Sequence, residues 1–188
     1  HFKLARDRLT VLVFGGSQGA RRINEAVAGA WPLLSERTRG LQVLHVTGER
    51  DYSEMKERYR TLSVQAAVMP YCHEMAAALA AADWVICRAG ASTVAELLMA
   101  QKPALLVPFP FASENHQFYN ANVLVSQGAA EQIKDEELTP ATIAESLRRM
   151  MRDPGHLRQM RDQLAALAKE APHGEAARRL ADYITRMS

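Results

Sequence analysis

Cysteine is scarce in this chain, with two in 188 residues, Cys72 and Cys87. Neither has a second cysteine at C-x-x-C spacing or a histidine cluster beside it, which excludes a disulfide framework and a zinc site of the usual kinds and fits a reducing compartment. An excess of charge is also missing. The 23 lysines and arginines against 21 acidic residues leave a net charge of +2, too mild to point to nucleic acid. No apolar run approaches the ~18 residues a membrane span requires. Internal repeats and low-complexity segments are absent, as is the D-x-D pattern that would suggest a metal-bound diphosphate, so neither metal nor cofactor is expected. What remains is an ordinary globular composition, 48% hydrophobic and 23% charged, long enough to bury one core. The chain opens without an initiator methionine, at HFKLARDRLT, and the expectation is a single domain over 1–188, cut from a longer protein.

Short apolar runs alternate with helical stripes. Thr10–Phe14 is a continuous apolar run closed by Gly15-Gly16, as a strand buried on both faces reads. Further strands are expected at Gln42–Val46, Val64–Met69, Asp83–Cys87, Ala104–Val107 and Ala129–Ile133, with helices at Asp51–Tyr59, Glu74–Ala82, Thr93–Gln101 and Asn115–Gln127. Ile23, Val27, Ala30, Trp31 and Leu34 recur at helical spacing between the first two strands. From Thr139-Pro140, an N-cap followed by proline at the first helical position, the strands stop. Stripes at Leu157, Met160, Leu164 and Leu167 and at Ala177, Leu180, Ala181, Ile184 and Met187 complete three C-terminal helices. Alternation of this kind implies a doubly wound α/β fold with a parallel sheet, and by analogy the Rossmann-like strand order 3-2-1-4-5-6.

In such sheets ligands bind beyond the carboxyl ends of the strands, where the order reverses. The segments following strands 1 and 4 meet there: Gly15-Gly16-Ser17-Gln18-Gly19 and Arg88-Ala89-Gly90-Ala91-Ser92-Thr93. Both are small, carry glycine and open a helix, so two sets of free N–H groups would aim at one spot, as a diphosphate requires; a merely structural tight turn is the alternative for each. The first turn is neither G-x-G-x-x-G nor a P-loop. The second strand ends at Val46-Thr47-Gly48 without the acidic residue that holds an adenosine ribose, so NAD is disfavoured. Glu96, one turn into the helix that begins near Ser92 and Thr93, is placed to accept ribose hydroxyls; a solvated helix glutamate is the plain alternative. Pro108–Asn120 (PFPFASENHQFYN) gathers amides and an imidazole at His116, Gln117 and Asn120 after strand 5, a set suited to sugar hydroxyls or, more simply, a helix start capped by Asn115. Arg21, Arg22, Arg148, Arg149 and Arg152 read as solvated helix faces rather than lipid contacts.

GGSQGA with the following Asn24, then CRAGASTVAE, then PFPFASENHQFYNA and Gln127-Gly128-Ala129-Ala130 resemble, in order and spacing from about Val11 to Ile133, the donor-binding half of the MurG family, the undecaprenyldiphospho-muramoylpentapeptide β-N-acetylglucosaminyltransferases. The resemblance implies the C-terminal half of a GT-B glycosyltransferase that takes UDP-GlcNAc as donor and lipid I as acceptor, inverts at the anomeric carbon to form lipid II for peptidoglycan, and works peripherally on the cytoplasmic face of the membrane. It assigns Gly16, Ser17 and Gln18 to the diphosphate, Ala91, Ser92 and Thr93 to the α-phosphate, Glu96 to the ribose, Gln117 and His116 to the GlcNAc hydroxyls, and the backbone at Cys72, within Tyr71-Cys72-His73-Glu74-Met75, to uracil. Many members carry glutamine where this chain has His116. The family's acceptor-binding, glycine-rich N-terminal half has no counterpart in this chain, which implies that lipid I contacts and catalytic groups lie outside it. Two other expectations keep the fold but change the role: a UDP-GlcNAc 2-epimerase-like half, and one subunit of a two-chain glycosyltransferase.

Overall fold

A computed structural model describes residues 2–16, 19–34, 40–112 and 115–170. Six strands form one all-parallel sheet in the order β3-β2-β1-β4-β5-β6, the order expected. They are β1 (Leu9–Phe14), β2 (Leu41–Val46), β3 (Ala66–Met69), β4 (Trp84–Cys87), β5 (Ala104–Leu106) and β6 (Glu131–Gln132). Between them run α1 (Arg21–Ala30), α2 (Tyr52–Thr61), α3 (Met75–Ala81), α4 (Ala91–Ala100) and α5 (His116–Val125), followed by α6 (Pro140–Arg152) and α7 (Pro154–Glu170). The third C-terminal helix expected from the stripe at Ala177–Met187 lies outside the described residues. Among those residues no helix is long and apolar enough to cross a membrane.

The apolar run of β1 is continuous because both faces of the strand are covered. Val11 and Val13 face a core built with Ile23 and Val27 of α1, Met55 and Tyr59 of α2, and Ile143, Leu147 and Met150 of α6. Leu12 and Phe14 face the other core, with Leu79 of α3, Val94 and Leu97 of α4 and Leu124 of α5. Helix α7 spans both layers: Leu157 and Met160 join the first core and Leu164 the second. Thr139 caps α6 as expected, its hydroxyl accepting from the Thr142 amide at 3.1 Å. Strand β6 is only two residues long, paired to β5 through Leu105↔Glu131 and Leu106↔Gln132. The longer apolar reading failed there because Ala129 and Ala130 are buried in the core without pairing in the ladder.

Strand β2 is buried throughout, yet it carries Gln42 and His45. A buried polar group must be satisfied, and both are. Gln42 bridges to Thr10 Oγ1 (2.9 Å) and to the backbone of Ala5 in both directions (2.8 Å each). His45 joins a chain whose proton positions follow from its ends. Asn24 donates through Nδ2 to the Thr47 carbonyl and to Asp51 Oδ2, both at 2.9 Å, so its Oδ1 must accept. His45 Nε2, 2.9 Å from that oxygen, therefore carries the hydrogen, and Nδ1 accepts from the Tyr59 hydroxyl at 2.8 Å. The imidazole is neutral, and burial pushes its pKa down to about 3. The chain thereby ties α1, the end of β2 and the start of α2 into one unit.

The folded pKa of His45 lies below the unfolded value near 6.5. Between those two values the unfolded chain binds a proton that the folded chain refuses, so stability present above pH 6.5 is lost as pH falls, by about 1.4 kcal/mol per pH unit from this group. Urea unfolding of the wild type is expected to shift to lower urea between pH 7 and pH 4.5. His45→Gln should be less stable at pH 7 but lose less over the same interval. Identical pH slopes for the two proteins would remove His45 as the cause.

Candidate functional site

The carboxyl ends of β1 and β4 are neighbours, with Phe14 opposite Cys87. The turns that leave them open α1 and α4. Ala20 and Gly90 occupy the N-cap positions and neither provides a side-chain cap. The first-turn N–H groups of both helices therefore lack the partner that a Ser, Thr, Asp or Asn cap would supply, and with the helix dipoles they make an anion-attracting corner. Helix α4 starts at Ala91, two residues earlier than its stripe suggests, which places Ala91, Ser92 and Thr93 in that first turn.

The glycine turn is pressed onto the end of β2. Gly19 has φ +74°, and a Cβ there would sit 2.3 Å from the Thr47 carbonyl oxygen, the same oxygen that Asn24 holds. Gly16 also has positive φ, +90°, but faces open space. The turn closes through the Gly19 N–H donating to the Gly16 carbonyl at 3.0 Å.

These elements border a hollow of about 620 Å³ lined by Gly15, Gly16, Gly19, Gly90, Ser92 and Thr93 on one side and by Phe109, Pro110, Phe111 and Gln117 on the other. Arg21, Arg22, Arg50 and Arg88 line it against Asp51 and Asp135, leaving it basic. Asp135 is buried and holds two of the arginines: Arg88 Nη1 at 2.5 Å from Oδ1 and Arg22 Nε at 2.9 Å from Oδ2. Arg88 also donates to the Val107 and Pro108 carbonyls (3.2 Å each) and lies over the Phe109 ring at 5.3 Å, so one guanidinium joins the ends of β4, β5 and β6.

Gln117 is oriented from two sides. Its Oε1 accepts from the Phe109 amide at 3.0 Å and the Ala89 amide at 3.2 Å. With the oxygen committed to backbone donors, the side chain presents its N–H2 as the group available for hydroxyl acceptors. One turn on, buried Asn120 donates to the Ala89 carbonyl at 3.0 Å, fixing α5 to the β4 turn.

Of the residues singled out from sequence, the fold brings Gly16, Ser92, Thr93 and Gln117 to one hollow. Ala91 is exposed beside Ser92. Ser17 and Gln18 lie outside the described residues. Glu96 is exposed on α4, on the same helix edge as Ser92 and Thr93 but outside the hollow's lining. His116 opens α5 and does not line the hollow either. Cys72 follows β3 with its thiol buried in the second core; only its backbone belongs to the sheet's carboxyl edge. Asn115 sits at the N-cap of α5 with φ +56° and makes no side-chain capping bond, so the capping alternative fails in its usual form. Arg22 stays more than half exposed, as expected of a solvated helix face, and its guanidinium also meets buried Asp135. Sequence reasoning missed Arg22, Arg88, Asp135 and the Asn24–His45 pair as one assembly. Arg88, within the segment after β4, and Asn24, quoted with the glycine turn, carried a positional signal. Among the described residues no cluster of three or more histidine, cysteine or acidic groups could hold a metal ion.

Residues 10–180 match the Glycosyltransferase family 28 C-terminal domain. A relative from Thermodesulfovibrio yellowstonii is 40% identical over 186 residues, covering 98% of this chain and 50% of its own length. Another from Anaeromyxobacter sp. strain Fw109-5 is 42% identical over 180 residues, covering 96% of this chain and 46% of its own. Both are named UDP-N-acetylglucosamine--N-acetylmuramyl-(pentapeptide) pyrophosphoryl-undecaprenol N-acetylglucosamine transferase. The chain thus spans about half the length of the curated relatives it matches. The crystal structure of Acinetobacter baumannii MurG superposes with TM-score 0.77 at 30% identity, covering 98% of this chain and 54% of that one. The UDP co-structure of S. aureus MnaA, TM-score 0.65 at 11% identity over 95% of this chain and 46% of that one, shows a shared fold alone.

The glycine turn makes a graded prediction. Gly16→Ala meets only the positive φ and is expected to cost about 1 kcal/mol. Gly19→Ala adds a collision with backbone that Asn24 holds in place, and about 3 kcal/mol is expected. Urea denaturation of both variants checks the order; equal losses would mean that the turn does not bear on Thr47.

Proposed function

The chain belongs to the glycosyltransferase family 28 C-terminal domains, and from that premise we propose that it is the donor-binding half of an enzyme transferring GlcNAc from UDP-GlcNAc to a muramoyl-peptide diphospho-polyprenol. The observation that carries this reading is the pair of helix N-termini without side-chain caps, together with a glycine turn, at the β1–β4 junction. A nucleoside diphosphate leaves with its negative charge growing on the terminal phosphate, and fixed N–H dipoles in a basic cleft stabilise that charge where it develops.

In this reading the turn at Gly16, with Ser17 and Gln18, and the first turn of α4, Ala91 to Thr93, hold the diphosphate. Glu96 accepts the ribose hydroxyls at the rim, and the backbone at Cys72 meets uracil further along the carboxyl edge. Gln117 donates to hydroxyls of the sugar, with His116 beside it. An acceptor hydroxyl attacks the anomeric carbon, the bond to the β-phosphate oxygen breaks, and UDP departs with the electron pair, inverting the centre. The group that takes the hydroxyl proton belongs to the acceptor-binding half, outside these residues. The acceptor's polyprenyl chain would keep the assembled enzyme on the cytoplasmic face of the membrane.

Parallel calorimetric titrations with UDP-GlcNAc, UDP and NAD test the proposal. The two uridine ligands should bind and NAD should not. Binding of NAD, or of none of them, would overturn it. Glu96→Ala should weaken both uridine ligands by about tenfold with an unchanged melting temperature, since its side chain is exposed. Gln117→Ala should weaken UDP-GlcNAc more than UDP; equal losses would take Gln117 out of sugar recognition.

A further inference from the structure

Across the ridge Phe109–Pro110–Phe111 from the basic cleft lies a second hollow, of about 710 Å³. Phe118 and Tyr119 of α5 line it together with the ridge, as do Asn115, Gln132 and Lys134. Its rings are unusually open to solvent: Phe111 is 84% exposed, Phe118 44%, Phe109 42% and Tyr119 37%. They stand as two edge-on pairs, Phe109–Phe111 at 5.7 Å and Phe118–Tyr119 at 5.8 Å. Four exposed rings gathered at one hollow make it a candidate binding surface.

The charges of the hollow decide what kind of ligand fits. Arg22 and Lys134 are balanced by Asp135 and Glu136. Arg22 is committed to Asp135, and Lys134 meets Glu136 only loosely, at 3.9 Å with both side chains exposed. An anionic lipid surface or a polyanion requires an excess of cations, and none is present. Flat apolar faces interspersed with amides and one loosely paired lysine suit a ligand with apolar ring faces, hydroxyls, amides and an occasional carboxylate: a sugar bearing a peptide.

Position points the same way. The hollow shares its ridge, Arg22 and Asp135 with the donor cleft. Glycosyl transfer needs the attacking hydroxyl about 3–3.5 Å from the anomeric carbon, so the acceptor must occupy space contiguous with the donor sugar. We infer that this aromatic hollow receives the saccharide–peptide head of the acceptor, so that acceptor recognition is shared by the donor-binding half. The inference rests on the donor reading above.

The test is an amide NMR titration of the 188-residue chain with UDP and, separately, with a soluble N-acetylmuramyl dipeptide. The dipeptide should shift, saturably, the amides of residues 115–119 and 132–134. Phe118→Ala and Tyr119→Ala, whose side chains line this hollow and not the donor cleft, should each weaken it by about fivefold while UDP binds as before. Phe118→Leu keeps the volume without the ring face, and serves if the alanine variant does not fold. If UDP binds but the dipeptide shifts other amides, binds nowhere, or is indifferent to these variants, the inference falls and the donor reading stands. Anionic phospholipid vesicles that shift the same amides in place of the dipeptide would overturn it in favour of a membrane contact. If UDP itself does not bind, the donor reading falls and this inference with it.

Discussion

The candidate cleft of this chain depends on the parallel pairing of β1 with β4. A parallel sheet delivers every strand's carboxyl end to one edge, but only where the order reverses do two successive turns diverge to opposite faces and leave a crevice. Here α1 lies on one face and α4 on the other. Their N-termini meet across the register Phe14↔Cys87. Moving β4 elsewhere in the sheet would leave the glycine turn and the Ala91–Thr93 turn as unrelated loops.

That junction is held from both sides by buried polar contacts. On the β2 side, the Asn24–His45–Tyr59 chain fixes the Thr47 carbonyl against which Gly19 is packed. On the β5 side, Arg88 and Asp135 join the ends of three strands, while Arg22 reaches the same carboxylate from α1. A buried carboxylate between two guanidiniums does not gain much net stability over an apolar packing of equal volume. What it does is set positions: three backbone segments and two cations are located by one side chain, and the cleft keeps a positive balance without a loose charge beside the Asp135 oxygens.

The parts of this arrangement legible in the sequence are those governed by local pattern. Thr10–Phe14 announces a doubly covered strand, Thr139-Pro140 a helix start, and glycine-rich junctions after strands 1 and 4 announce turns that open helices. The expected strand order came from analogy, yet it placed Gly16, Ser92, Thr93 and Gln117 together. What stayed hidden depends on contacts between distant residues. Arg22 and Asp135 are 113 residues apart, and nothing in an arginine on an amphipathic helix distinguishes a solvated side chain from one turned into a cleft. His45 reads as one more strand residue until Asn24 and Tyr59 are brought beside it. Asn115 reads as a cap by residue type, but its backbone is left-handed rather than extended, and its side chain makes no capping bond.

The ridge Phe109–Pro110–Phe111 connects these levels. Two prolines in the segment leaving β5 cannot donate to a ladder, so pairing ends after the Val107 N–H donates to the Cys87 carbonyl. Arg88 holds the base of that segment by the Val107 and Pro108 carbonyls, and Gln117 holds the Phe109 amide. The ridge is therefore anchored at its root by the same residues that border the basic cleft, while the Phe111 ring at its crest stays in solvent. A ligand that displaces water from the crest acts on a loop whose other end touches Gln117 and Arg88.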